Sequence, residues 1–157
     1  VGTSGVYHPG VRTDVEYGPL AAYAVELSGA TGRPKFGYLA TASGDQKARL
    51  AERAEAARLR GWEFNPLTLF MAPNVEDVAE YLLDQDVIWV DGGSVVNLLA
   101  LWRAHGLDEV MRTAWERGIK SLYYCRSKSV QRAGFAGVTV EKDLAGLDRI
   151  AWGHHLP

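Results

Sequence analysis

Two places in the chain carry residues whose types are suited to hydrolytic chemistry. Gly92 and Gly93 follow a short apolar run and precede Ser94. Backbone N–H groups at such a glycine turn can stabilise an oxyanion, although a tight turn without a ligand explains the same spacing. Asp91 immediately precedes the pair, where it is either a solvated turn residue or part of a pocket wall. Further along, Cys125 is the one thiol in the chain.

Cys125 has two interpretations. It is a nucleophile if it lies on a strand-to-helix turn beside a base, and otherwise a small buried apolar side chain. Its neighbours, Tyr123-Tyr-Cys-Arg-Ser127, lack the glycines of a Gly-x-Ser-x-Gly elbow. His105 precedes Gly106 at a predicted helix end, where it interacts favourably with the helix dipole. His8, His154 and His155 have no partners at metal-ligand spacing, so we predict no metal site.

Composition excludes several classes of protein. The 157 residues suffice for one domain with a core, and the net charge of −2 with scattered basic residues excludes a typical nucleic-acid-binding protein. A single cysteine fits a reducing compartment, hence a cytoplasmic protein. No apolar run is long enough to span a membrane, and we see no signal peptide. Neither a dinucleotide fingerprint nor a P-loop is present.

The elements that must position these residues alternate between strands and helices. Predicted strands occupy 35–42, part of 62–70, 86–90 and 119–125; predicted helices occupy 19–28, 45–60, 74–84, 95–105 and 107–118. Asp45 and Asn74 are predicted N-caps of the second and third helices, and Ser94 caps the fourth. The first 19 residues are predicted to be loop. This alternation predicts an α/β protein with a mainly parallel sheet and helices on both faces.

Three segments resemble a known family. Ala40–Asp45, Asp86–Ser94 and Asn97–Asp108 are similar to the peptidase E-like proteins of peptidase family S51, serine dipeptidases related to cyanophycinase. The resemblance extends over roughly 1–118, about three-quarters of the chain. It implies a flavodoxin-like three-layer fold of the class I glutamine amidotransferase type. The domain prediction is therefore one S51-like domain over 1–157, divergent over 119–157.

The resemblance also implies an activity. Family members are serine-type hydrolases of short peptides with an N-terminal aspartate and use no cofactor. Gly92 and Gly93 then lie on the oxyanion side of the site. Counting from Ala114-Trp115 places the nucleophile position at Cys125, and His154 is a candidate for the base.

The chain departs from the family pattern in two places. Asp91 replaces the first of three glycines, and no Gly-x-Ser-x-Gly elbow follows Gly118. A reading-frame shift near Lys120 is one explanation. Because the chain stops at Pro157, we expect an incomplete sheet that self-associates. The alternative to a peptidase that acts on short peptides is a non-catalytic α/β binding module or a truncated pseudoenzyme of the same fold.

Overall fold

Four parallel strands form the central sheet of the molecule. The computed structural model describes residues 7–123, 139–142 and 148–152. The strands are β1 Tyr7–His8, β2 Glu16–Tyr17, β3 Lys35–Leu39, β4 Glu63–Leu67, β5 Val87–Val90, β6 Lys120–Tyr123, β7 Thr139–Lys142 and β8 Asp148–Trp152. The helices are α1 Pro19–Ser28, α2 Lys47–Leu59, α3 Val78–Leu83, α4 Val95–Ala104 and α5 Leu107–Glu116, with a short 3-10 turn over Thr41–Ser43.

The strand order of the central sheet is β4-β3-β5-β6, and all its pairs are parallel. Leu39 is level with Leu67 on one side and with Val90 on the other, and Val90 is level with Tyr123. The carboxyl ends of the four strands therefore meet at one edge. The chain leaves β3 toward β4, then crosses back to β5, so the switch point between β3 and β5 is where an open α/β sheet binds ligands.

Helices cover both faces of the sheet, as the alternation of elements predicted. On one face, Phe36, Tyr38, Val87 and Trp89 pack with residues of β2, α1 and α2. The Phe36 and Trp62 rings stack here with centroids 5.0 Å apart. On the other face, a second cluster joins the sheet to α3, α4 and α5; it comprises Leu39, Ala42, Leu67, Leu69, Leu82, Ile88, Val90, Leu98, Trp102, Leu107, Met111 and Ala114. The fold prediction is confirmed: this is the flavodoxin-like three-layer arrangement.

Several predicted boundaries were right. Pro19 begins α1, where its missing N–H costs nothing. Ser94 caps α4 by accepting a hydrogen bond from the Asn97 N–H at 3.3 Å. Pro66 lies in β4, which pairs only with β3 among the described strands, so it occupies an edge as expected. No helix in the described part of the chain has the length and apolar character needed to cross a membrane.

Other boundaries were wrong, because polar side chains bond across the fold instead of capping helices. Asp45 does not cap α2, which begins at Lys47 after Gln46. Asn74 accepts a hydrogen bond from the Thr68 N–H at 2.9 Å, so α3 starts later and is capped by Asp77. Part of the predicted N-terminal loop is an antiparallel hairpin of β1 and β2.

Candidate active site

The loops after β3 and β5 lie side by side at the carboxyl edge of the sheet. The Asp91 N–H donates to the Leu39 carbonyl oxygen at 2.8 Å, which extends the pairing of the two strands by one bond. Three residues later, the Ser94 N–H donates to the Ala42 carbonyl oxygen at 2.7 Å. These two bonds fix the segment Asp91–Ser94, called here the glycine corner, against the turn that follows β3.

Gly93 occupies a position in the glycine corner that no other residue fits. Its φ is +158°, and a Cβ at this position would collide with the carbonyl group of Ala42. Within residues 7–123, 139–142 and 148–152, the Gly93 N–H has no hydrogen-bond partner. Close backbone approach and an N–H without a partner in this part of the chain are both expected of an oxyanion donor.

Gly92 differs from Gly93 in its backbone bonding. The Gly92 N–H donates to Oδ1 of Asp91 at 2.9 Å. A donor that is already engaged is a poorer ligand for a developing oxyanion than one without a partner. The two glycines that the sequence grouped together are therefore not equivalent, although an oxyanion role for either stays a prediction.

Asp91 is buried beneath the glycine corner. Its side chain is 3% exposed, so it is not a solvated turn residue. Oδ2 accepts a hydrogen bond from the Tyr38 hydroxyl at 2.6 Å and lies 3.5 Å from Nη1 of Arg49. With the Gly92 N–H on Oδ1, the carboxylate contacts three donors, which is what a buried charge requires. Asp91 thus links β3, β5 and α2.

Burial also governs the tyrosines near this carboxylate. Burial, reinforced by the nearby Tyr7 and by Asp91, raises the pKa of the Tyr38 phenol, so Tyr38 is a protonated donor at neutral pH. Burial likewise raises the pKa of Tyr17 well above its usual value. The Arg53 guanidinium, one turn after Arg49 on α2, lies over the Tyr7 ring at 4.1 Å from its centroid. The cationic and phenolic groups together form a polar layer below the corner.

Asp45 connects the loop after β3 to the loop after β4. Its Oδ2 accepts hydrogen bonds from the N–H groups of Leu69 and Phe70, at 2.7 and 3.0 Å. Asp45 itself has a φ of +49°, which is uncommon for a residue other than glycine. The carboxylate therefore holds a strained turn in place at the edge where the corner lies.

A search against protein-family models gives one decisive match. The model described as peptidase family S51 matches residues 16–123, which is more than half of the chain and includes β3, the glycine corner and β6. The chain belongs to peptidase family S51. The resemblance read from the sequence segments is thereby confirmed.

A curated relative in Bacillus subtilis (strain 168) agrees with this S51 assignment. The S51 chain is 36% identical over 87 residues to the protein named "Uncharacterized peptidase YgaJ". The aligned part is 55% of this chain and 37% of the relative. The chain thus spans little more than a third of the length of that relative.

The other predicted site residues of the S51 chain have separate outcomes. Cys125 and His154 lie outside the described residues, so their roles stay predictions. His105 follows the last turn of α4, at the helix end where the sequence placed it. In the part of the chain that the structure describes, no group of three or more His, Cys, Asp or Glu side chains is placed to hold a metal ion.

Sequence reasoning missed three residues that interact with Asp91 beside the glycine corner: Tyr38, Arg49 and Arg53. One signal was available in the sequence. Arg49 and Arg53 are four residues apart, so they share a face of α2, and the first turn of that helix contains cations but no acidic residue. Cations in the first helical turn oppose the helix dipole, so helix stability does not explain their presence. Nothing local indicated Tyr38, whose partner Asp91 is 53 residues away.

Proposed function

We propose that this S51 chain derives from, and retains the oxyanion side of, a hydrolase of short peptides with an N-terminal aspartate. The observation that carries the proposal is the family match over residues 16–123, which contains the glycine corner. The Gly93 N–H, which has no partner among the described residues, supports it. The single cysteine of the sequence favours a reducing compartment, the cytoplasm, as its location.

The proposed chemistry is acyl transfer. A nucleophile attacks the carbonyl carbon of the first peptide bond, and negative charge develops on the carbonyl oxygen. The Gly93 N–H stabilises that charge, and loss of one such donor typically reduces kcat by about 10²- to 10³-fold. When the carbonyl re-forms, the C–N bond breaks and the amine leaves with the proton that the base took from the nucleophile. Water then hydrolyses the bond between the acyl group and the nucleophile, which releases the acid and restores the nucleophile. The nucleophile position by count is Cys125, and His154 is the candidate base that takes its proton.

A second function is supported by one specific observation. Residues 119–157 contain no Gly-x-Ser-x-Gly sequence, the turn on which a serine nucleophile is normally exposed. A chain that lacks this turn can still bind a peptide at the glycine corner without cleaving it. The second candidate function is therefore a non-catalytic peptide-binding module of the S51 fold.

Hydrolysis of an Asp-Leu dipeptide by the purified chain separates the two functions. We expect turnover that Cys125→Ala abolishes, with His154→Ala reducing it strongly and His155→Ala serving as the matched control. Turnover that persists in both Cys125→Ala and His154→Ala would reject Cys125 as the nucleophile and His154 as the base. The proposal that the chain is a hydrolase would stand. Absence of turnover, with the dipeptide still bound, would favour the binding module.

A further inference from the structure

The most permissive part of the glycine corner is the peptide unit formed by the Gly92 carbonyl and the Gly93 N–H. Its orientation depends on ψ of Gly92 and φ of Gly93, and glycine adopts a wide range of both because it has no Cβ. An N–H that stabilises an oxyanion must point in one direction before the substrate arrives. The orientation of this peptide unit therefore has to be fixed by contacts from its surroundings.

Two backbone hydrogen bonds fix the ends of the corner but not this peptide unit. At one end, the Asp91 N–H donates to the Leu39 carbonyl oxygen at 2.8 Å. At the other end, the Ser94 N–H donates to the Ala42 carbonyl oxygen at 2.7 Å. Neither bond involves an atom of the peptide unit between them, so a further contact is needed to hold it.

The Asp91 side chain makes a third contact, which lies closer to the peptide unit. Its Oδ1 accepts a hydrogen bond from the Gly92 N–H at 2.9 Å. This bond restrains Gly92, one of the two residues about which the unit turns. It also engages the neighbouring donor, whereas the Gly93 N–H has no partner among the described residues. Asp91 thereby leaves Gly93 as the donor for a ligand.

The Asp91 carboxylate is itself held in place and its charge is offset. Its side chain is 3% exposed, and its Oδ2 accepts a hydrogen bond from the Tyr38 hydroxyl at 2.6 Å. Nη1 of Arg49 lies 3.5 Å from the same oxygen, whereas Arg53 pairs with Glu52 at 3.8 Å. Arg49 therefore offsets a negative charge that would otherwise oppose an oxyanion at the corner.

We propose that Asp91 is a positioning residue, which fixes the peptide unit so that the Gly93 N–H faces the carbonyl oxygen of a bound peptide. The inference rests on the proposed function, because it takes the glycine corner as the oxyanion side of the site. Asp91 acts through the Gly92 N–H and needs no contact with the peptide. The Tyr38 hydroxyl fixes Asp91 in turn.

NMR relaxation of the full chain labelled with ¹⁵N-glycine tests the proposal without requiring turnover. In the unaltered chain we expect the Gly93 amide to be as rigid as core backbone, with an order parameter of about 0.85. Asp91→Ala should lower this order parameter below about 0.6, the range of flexible backbone. Asp91→Asn should keep the amide rigid, because its side-chain oxygen still accepts the hydrogen bond from Gly92. A flexible Gly93 amide in the unaltered chain, or a rigid one in Asp91→Ala, would overturn the proposal.

Asp86→Ala is the matched control. Asp86 immediately precedes β5, and its Oδ2 accepts a hydrogen bond from the Lys35 N–H of β3 at 2.8 Å. It thus joins the same two strands as Asp91 does, but at their other end. Its loss should leave the Gly93 amide rigid. Equal loosening of Gly93 in Asp86→Ala and Asp91→Ala would indicate a general loss of stability and overturn the proposal.

Tyr38→Phe keeps the test decisive if Asp91→Ala does not fold. This variant retains the ring and removes only the hydroxyl that bonds Oδ2 of Asp91. We expect it to lower the Gly93 order parameter by less than Asp91→Ala does. An unchanged Gly93 amide in folded Tyr38→Phe would contradict the role of Asp91.

Steady-state kinetics with Asp-Leu separate positioning from binding. Asp91→Ala should reduce kcat by about 10²-fold, because a displaced donor no longer meets the developing charge. KM should change by less than about twofold, since the ground-state contacts remain. Asp91→Asn should restore most of kcat, and Asp86→Ala should not reduce it. An unchanged kcat in Asp91→Ala would keep the peptidase and reject the role of Asp91.

If the unaltered chain does not cleave Asp-Leu, the proposed hydrolysis fails and titration with the same dipeptide decides the inference. A hydrogen bond to the peptide carbonyl should shift the Gly93 amide proton downfield. The Gly92 amide proton, which Asp91 already engages, should move little. This difference without cleavage would keep the role of Asp91 in a binding module. Equal shifts at both glycines, or no shift at Gly93 at millimolar dipeptide, would overturn the inference.

Discussion

At the scale of single residues, the most informative side chain is Asp91. Its side chain is 3% exposed, and a buried carboxylate must find hydrogen-bond donors. Tyr38 and the Gly92 N–H supply them at hydrogen-bond distance. A buried carboxylate with several donors is stable, whereas removing one donor leaves an acceptor unsatisfied at a cost of about 1–3 kcal/mol. Burial of the Asp91 carboxylate therefore depends on the Tyr38 hydroxyl.

Because Tyr38 and Tyr17 are buried, we predict that the protein loses stability at alkaline pH. Both side chains are fully buried, and burial raises the pKa of each phenol above its usual value of 10.0. The unfolded chain releases these protons near pH 10, whereas the folded chain retains them. The two phenols therefore contribute fully to the free energy of unfolding below about pH 10. Above that pH the free energy of unfolding falls by about 1.4 kcal/mol per pH unit for each tyrosine.

Urea unfolding between about pH 9 and about pH 11 measures this slope. Tyr38→Phe should reduce the steepness by about 1.4 kcal/mol per pH unit, in addition to a loss of stability at neutral pH. Tyr23→Phe is the control, since Tyr23 is 56% exposed and already meets solvent in the folded state. An unchanged slope in Tyr38→Phe would contradict the argument.

At the scale of elements, helix starts were decided by two different kinds of contact. The start of α4 is decided by a local contact, since the Ser94 hydroxyl accepts a hydrogen bond from the Asn97 N–H three residues later. The start of α2 is not local, because the Asp45 carboxylate accepts hydrogen bonds from backbone about 25 residues further along. Asp, Asn and Ser can make either kind of bond, so their presence before a helix predicts a cap only where no distant donor competes.

The local cap of α4 gives a measurable prediction. Ser94→Ala should destabilise the protein by about 1 kcal/mol, the usual cost of losing an N-cap oxygen. Ser94→Thr should retain most of the stability, because threonine also accepts the bond. Chemical denaturation measures the difference in the free energy of unfolding between the variants and the unaltered chain. The comparison is valid where the dependence on denaturant concentration is the same for each protein. Equal stability of Ser94→Ala and the unaltered chain would show that the 3.3 Å bond to the Asn97 N–H contributes nothing.

At the scale of the whole molecule, the exposed apolar surface of α1 stands out. Its inner face buries Ala21 and Ala24, whereas Tyr23 and Leu27, one turn apart, are 56% and 52% exposed. Among the described strands, β6 pairs on one side only, with β5. Exposed apolar stripes and unpaired strand edges both favour association between copies. The self-association expected from the sequence therefore stays our prediction.

Sedimentation velocity over a range of concentrations tests this prediction. We expect a weight-average mass that rises above 17.2 kDa as concentration increases. Replacing Tyr23 and Leu27 together by glutamate should shift the chain toward the monomer, because charge opposes burial of this stripe. Val11→Glu is the control, since Val11 is a single exposed apolar residue on the loop between β1 and β2. A monodisperse monomer at all concentrations would contradict the prediction.

The sequence alone determined the alternation of strands and helices from β3 to β6, the parallel sheet, the glycine corner and the cap at Ser94. These features depend on periodicity, turn residues and contacts over a few positions, which a single sequence displays. The tertiary structure alone decided that Asp91 is buried and that Tyr38 and Arg49 meet it. Those partners are 53 and 42 residues away, and they come together only because β5 pairs with β3 while α2 packs over the same face. Strand order is a global outcome of packing, so no local pattern could have placed a cation at this corner.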